Sequence, residues 1–166
     1  MASYLEIKQL VEKTLKTECI IEPPVLASEI AKNNGIKVYT VDFSELPHSF
    51  QVSSGFIDAE TNTMYINSAD NPKRRNFTIA HELGHYFLGH TQKSEYETLF
   101  RLTTKERNHS QLEKDANCFA ANLLVPEQML KKIIQKYPFI TNRSLSNVFG
   151  VSEEVIYNRK NTLGLY

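Results

Sequence analysis

Cysteine is scarce in this chain, an excess of one charge is absent, and no hydrophobic run is long. The two cysteines, Cys19 and Cys118, lie far apart without Cys-x-x-Cys spacing, which argues against a disulfide framework or a cysteine-rich zinc site. Both read as core thiols. Lysine and arginine together number 19, as do aspartate and glutamate, so no net field draws the chain toward nucleic acid or an anionic membrane. Any DNA contact would need a local patch. No segment approaches the roughly 20 apolar residues of a membrane span. The opening "MASYLEIKQLVEKTLKTECI" spaces Leu5, Ile7, Leu10, Val11 and Leu15 among charges, the pattern of an amphipathic helix and not of a signal peptide. A cytoplasmic protein that binds no membrane is the expectation. Internal repeats and low-complexity tracts are also missing.

What is present fits one compact unit: 166 residues are enough to bury a core. After Pro23 and Pro24, "VLASEIAKNNG" reads as a short helix stopped by Gly35. "IKVYTVDF" then alternates as a strand, and "GFID" and "TMYIN", joined by "AETN", form an antiparallel hairpin. Asn71 and Pro72 start a helix that should run to Leu88, before Gly89. The polar run from His90 to Gln111 is loop, a candidate lid. Two further helices follow in "QLEKDANCFAANLLVP" and "EQMLKKIIQKY", separated by Pro126, and two short ones flank Gly150.

Three of the five histidines fall in "FTIAHELGHYFLGH", Phe77 to His90. On a helix, residues four apart lie about 40° from each other around the axis, so His81 and His85 share a face and can each offer a nitrogen to one Zn²⁺. Glu82 points about 100° from His81, which suits it to act on a water and not on the ion. A shuffled chain of this composition would show His-Glu-x-x-His roughly once in a hundred trials, so spacing alone does not decide. The competing reading is a helix with hydrogen-bonded histidines. Its difficulty is that Phe77, Ile79, Ala80, Leu83, Gly84, Phe87 and Leu88 make this helix apolar on nearly all sides. Two imidazoles and a carboxylate buried together need partners.

Three residues are candidates for the third ligand of a site that leaves one position open for water. His90 misses the metzincin spacing, and on a continued helix it would lie opposite His81. His109 belongs to the polar loop, where exposure is its ordinary state. Glu113 shares a helical face with Ala116, Asn117, Ala120 and Leu124. The alanines on that face and Gly84 on the other helix would let the two backbones approach closely and complete a His₂Glu set, with Asn117 orienting a ligand. An exposed helical glutamate is the competing reading, and the residues alone leave the two side by side.

"RRNFTIAHELGHYFLGH" followed by "EKDANCFAANLLVP" closely resembles the paired motifs of the ImmA/IrrE family of metallopeptidases, an AHELGH helix and an E-x-x-A-N-x-F-A-x-x-L-L-x-P helix. The upstream helix-strand unit and hairpin are similar to the family's lead-in, so the likeness spans about residues 23 to 127. It implies Zn²⁺ held by His81, His85 and Glu113, with Glu82 as general base. It also implies an α+β fold: a mostly helical zincin-like core, residues 1–130, with a small antiparallel sheet packed on the helix of His81 and His85. Residues 131–166 would form a C-terminal helical, helix-turn-helix-like segment packed on that core. Members are commonly encoded in mobile elements or beside helix-turn-helix repressors, and several relieve repression by cleaving the repressor. Many carry a fused N-terminal helix-turn-helix domain; none is read here, which points to a separate protein partner, a transcriptional repressor.

The expected chemistry is peptide-bond hydrolysis, with Tyr86, Tyr96, Arg101 and His109 as candidate donors to the oxyanion. The hairpin either packs over the active-site helix or offers a strand edge to an extended substrate. Lys73, Arg74 and Arg75 crowd a helix N-terminus, where cations oppose the dipole, and read as an internally paired cluster or a contact for an acidic partner. The tail has a helix-turn-helix rhythm, but Arg143, Arg159 and Lys160 against Glu153 and Glu154 leave a net +1, thin for phosphate binding. Packing or substrate recognition is its expected role. The rival functions are a non-catalytic regulator or DNA- or repressor-binding protein with a vestigial zinc site, and a purely structural site. A structural site would leave Glu82 without a task.

Overall fold

A computed structural model describes residues 2–46, 53–92 and 110–165. Helix α1, Tyr4–Thr17, begins in a capping box in which Ser3 accepts from the Glu6 amide and Glu6 accepts from the Ser3 amide. Its Ile7, Val11 and Leu15 are buried, as their spacing requires, while Leu5 stays exposed. Helix α2, Ala27–Asn33, has no cap of its own; Asn76 of a later helix accepts from the Ala27 amide and donates to the Val25 carbonyl. Gly35, at φ +74°, then turns the chain into strand β1, Lys37–Val41.

Strands β2, Gly55–Asp58, and β3, Thr63–Asn67, form the expected antiparallel hairpin. Asp58 accepts from the Glu60 and Thr61 amides and the Thr61 hydroxyl, closing the turn. β1 joins the far side of β3 in parallel, Lys37 opposite Thr63 through Val41 opposite Asn67, so the sheet is mixed, in the order β1-β3-β2. Met64, Ile66 and Ile57 are buried on the face toward the helices. Tyr39, Tyr65 and Phe56 stack across the three strands on the other face, with centroids 6.2 and 5.2 Å apart.

Helix α3, Pro72–Phe87, opens with Asn71 accepting from the Arg74 amide and Pro72 in its first turn. It ends at the Leu88 cap, and Gly89 adopts φ +68°. Helix α4, Gln111–Leu124, packs along α3, and α1 lies against α4. Helices α5, Glu127–Lys136, α6, Asn142–Phe149, and α7, Glu153–Leu163, complete the chain. Seven α-helices with one three-stranded sheet make the architecture α+β among the described residues. Leu145, Phe149, Val151 and Ile156 of the tail belong to the same apolar cluster as Val25, Ile30 and Leu83.

The Lys73 to Arg75 cluster is internally paired at two positions. Lys73 donates to Ser146 Oγ and Asn147 Oδ1 of α6, and Arg74 meets Asp70 and Ser54. Arg159 of α7 is buried and donates to the Val125 carbonyl at the end of α4 and to Asn122 Oδ1, where a cation also complements the helix dipole. Of the two thiols read as core, Cys118 is half-buried on α4 and packs against the core, whereas Cys19 corrects the reading, exposed at φ +54° after α1. The chain must turn sharply at Cys19 to leave the helix, which carries its side chain off the buried face. No helix among the described residues is long and apolar enough to cross a membrane.

Candidate metal centre

The geometry of the site follows from how closely α3 and α4 approach. Gly84 faces α4, and a Cβ there would stand 3.1 Å from the Cα and carbonyl oxygen of Ala116 and 3.2 Å from Phe119 Cβ. With a side chain at position 84 its neighbours would have to give by a few tenths of an ångström. The close approach brings the Glu113 carboxylate onto the face of α3 that carries both imidazoles. His81 Nε2 and His85 Nε2 are 3.1 Å apart, Glu113 Oε2 is 3.1 Å from His81 Nε2, and Glu113 Oε1 is 3.6 Å from His85 Nε2. For metal–ligand bonds of 2.0–2.1 Å the edge of a tetrahedron is about 3.3 Å, and the three separations bracket it. The donor set and its spacing can hold a metal ion.

Electrostatics hold the triad together. Burial works against a charged His81, but the carboxylates of Glu113 and then Glu82 outweigh it and raise the His81 pKa. Burial likewise opposes ionisation of Glu113, yet the two imidazoles hold its carboxyl well below the usual range. Glu113 is therefore an anion, as a carboxylate ligand must be. Glu82 is nearly buried, 5% exposed, and lines the same cleft as His81, His85 and Glu113.

The other ring nitrogen of each histidine is also engaged. His81 Nδ1 lies 3.0 Å from Asn117 Oδ1, which places Asn117 where the helical face argument put it. An amide oxygen only accepts, so His81 donates from Nδ1, which leaves Nε2 as the nitrogen available to a metal ion. His85 Nδ1 lies 3.0 Å from Nδ1 of His90, itself 1% exposed. Projection of a continued helix put His90 opposite His81. The helix instead stops, Gly89 takes the left-handed conformation, and a 3₁₀ turn over His90–Gln92 brings the imidazole against the back of His85. That contact is what sequence reasoning missed. Its one signal was the glycine.

The cleft has a volume of about 910 Å³ and runs from β2 across α3 to α7. One wall is Ser53 to Gly55 at the edge of the sheet, and the other carries Asn158 and Arg159. Gly55 allows β2 to lie directly on α3, since a Cβ there would be 2.6 Å from Thr78 Cγ2 and 2.9 Å from the Tyr65 carbonyl. Its amide and carbonyl both meet Ser53 Oγ and so are turned away from β3. Cys118 also lines the cleft, and burial pushes its thiol pKa up, away from the reactive thiolate. Tyr86 packs with the apolar cluster and edge-on to Phe87, and is not among the cleft residues. Tyr96, Arg101 and His109, and all but the first three and last two residues of the candidate lid, lie outside the described residues.

The profile of the IrrE N-terminal-like domain family matches residues 31–161, which include His81, Glu82, His85 and Glu113. The radiation response metalloprotease IrrE of Deinococcus radiodurans is 31% identical over 99 residues, 58% of this chain and 29% of that protein. The metallopeptidase ImmA of Bacillus subtilis is 26% identical over 109 residues, 66% of this chain and 62% of that protein. The match thus spans less than two thirds of either relative. Among solved structures, a Mycobacterium tuberculosis transcriptional regulator shares the fold with a TM-score of 0.67, covering 93% of this chain and 46% of its own at 20% identity.

Proposed function

Since the chain belongs to the family of IrrE N-terminal-like domains, a peptidase family, we propose that it is a zinc-dependent endopeptidase whose ligands are His81, His85 and Glu113 and whose general base is Glu82. The observation that carries this reading is the convergence of two imidazole nitrogens and a carboxylate at 3.1–3.6 Å beside a second carboxylate, that of Glu82, in an open cleft. Held by His81, His85 and Glu113, a zinc ion would supply Lewis acidity toward a scissile carbonyl and would bring the pKa of a water toward about 7. Glu82 takes the proton of the attacking water and passes it to the leaving amine. Asn117 keeps the Nε2 lone pair of His81 aimed into the site.

Substrate binding follows from the walls. An extended peptide can add to the outer edge of β2, where the Gly55 amide and carbonyl face away from β3 and need only exchange the Ser53 hydroxyl for peptide groups. Helix α7 then bounds the cleft opposite, so residues 131–166 serve the 1–130 peptidase unit as packing and as a recognition wall, not as a DNA reader. The family resemblance makes a helix-turn-helix repressor in the cytoplasm the preferred protein substrate.

The test pairs wild type with Glu82→Gln, both zinc-loaded, against a proteome-derived peptide library and the repressor encoded beside the gene. Discrete cleavage that vanishes with chelator and in Glu82→Gln, with zinc content and fold retained in the variant, is the expected result. Undiminished cleavage by Glu82→Gln would remove the proposed base. A wild-type protein that takes up no zinc would remove the centre itself.

A further inference from the structure

The two metal-facing imidazoles are held from behind by different chemistry. Asn117 Oδ1 can only accept, so it dictates the tautomer of His81. His90 can accept or donate at Nδ1, so the 3.0 Å contact with His85 admits two arrangements. In one, His85 Nδ1–H donates to the His90 Nδ1 lone pair, and His85 Nε2 is left with a lone pair among His81 Nε2 and Glu113. In the other, His90 donates, and the His85 proton lies on Nε2, pointed at the same neighbours.

We propose that His90 is a positioning residue: its Nδ1 accepts the His85 Nδ1–H and so fixes the ring orientation and tautomer that present His85 Nε2 to the metal. The proposal rests on the reading of His81, His85 and Glu113 as a metal site. A metal ligand must offer a lone pair, and a histidine ligand that donates through its other nitrogen to an acceptor is both oriented and made more basic. His90 is well placed to act so because it is itself immobilised. It is 1% exposed, Gly89 at φ +68° sets its approach, and the two rings meet at 67° with centroids 5.1 Å apart.

Zinc affinity is measured by competition with a chromophoric chelator for wild type, His90→Leu and His90→Asn, with circular dichroism as the check on folding. Leucine removes the acceptor, and affinity should fall about 10- to 100-fold, the usual effect of losing an outer partner of a ligand. Asparagine returns an acceptor oxygen near the position of Nδ1 and should restore most of the loss. A second readout needs no variant. In the zinc-loaded, ¹⁵N-labelled protein, His85 Nδ1 should carry the proton, His90 Nδ1 should show the shift of an unprotonated nitrogen, and a coupling across the N–H···N bond should connect them. Unchanged affinity in His90→Leu, or a proton found on His90 Nδ1 in the zinc-loaded protein, overturns the proposal. Should wild type bind no zinc, the metal centre fails and this assignment with it, whereas a weakened His90→Leu beside a tight wild type separates the two.

Discussion

Replacing Gly84 by alanine tests whether the site depends on the close contact of α3 and α4. In an exposed helix the change is favourable by about 0.8–1 kcal/mol through propensity alone. Here the new Cβ would stand 3.1 Å from Ala116 Cα and O and 3.2 Å from Phe119 Cβ, against an ordinary carbon contact of about 3.5–4.0 Å. The helices must part by roughly 0.4 Å or more. Overpacking of this kind costs about 1–3 kcal/mol, so the net effect is a loss of up to about 2 kcal/mol, a fall of about 2–4 °C in Tm per kcal/mol for a chain of this size. Glu113 is one turn from Ala116, so the same displacement draws its carboxylate from the imidazoles by an amount comparable with the roughly 0.5 Å tolerance of such a centre. Zinc affinity should drop on the order of tenfold. Two assays are needed: urea unfolding of the metal-free protein and chelator competition for zinc. Adding Ala116→Gly should not rescue either, because the obstruction is the backbone of residue 116 and not its methyl group. A Gly84→Ala protein that gains the full propensity increment and binds zinc as wild type does would refute the close-contact argument.

Removal of the third donor is more severe. Glu113→Ala should weaken zinc binding by more than about 100-fold, past the range expected for outer partners, and should abolish the zinc-induced rise in Tm, which for wild type corresponds to about 2.7 kcal/mol at free zinc 100 times Kd. Differential scanning calorimetry with and without zinc reads both, and a wild-type-like rise in the variant would count against Glu113 as a ligand. Stability should also vary with acid through Glu127, which accepts from Lys131 at 2.6 Å and Lys8 at 2.8 Å. The Lys131 and Lys8 contacts hold its carboxyl at a pKa of about 2 against an ordinary 4.5, so the stabilisation is complete above pH 4.5 and is lost as pH falls through about 2. Lys8 and Lys131 are 35% and 45% exposed, and solvent limits the value of the cluster to at most about 1 kcal/mol, less than so large a shift would mean in a dry pair. The Tm gap between wild type and Glu127→Gln should therefore close between pH 6 and pH 2, and a gap that widens on acidification would contradict the assignment.

The helices were legible because local chemistry fixes them. Asn71 and Pro72 start α3, Gly35, Gly89 and Gly150 all take positive φ where a stop was read, and Pro126 separates α4 from α5. The hairpin was legible for the same reason, since Asp58 organises a turn between two runs of matched alternation. The position of β1 was not. Nothing in "IKVYTVDF" says which strand it joins or in which direction, because its partner in the sheet lies more than twenty residues away and β1 is placed by packing against α2 and pairing with β3. The tail shows the converse. Two short helices flank Gly150 as the sequence suggests, but the pattern is silent about which surface the pair covers, and the structure sets α7 along the cleft through Arg159, Asn122 and Val125.

Within the site, what could be read was whatever lies on an unbroken helix. Four-residue spacing joins His81 to His85, and the face shared by Glu113, Ala116 and Asn117 put a carboxylate, a gap and an amide in line, so the contact of Asn117 with His81 followed. Helical projection fails at the first residue with positive φ. Past Gly89 the rotation of 100° per residue no longer applies, and His90, which projection sent to the wrong side, returns to the back of His85. Spacing on a helix thus specifies the groups that converge on the candidate metal site, whereas the group that aims one of them is set by a single backbone turn. That is why a glycine read only as a terminator also decides how His85 is held.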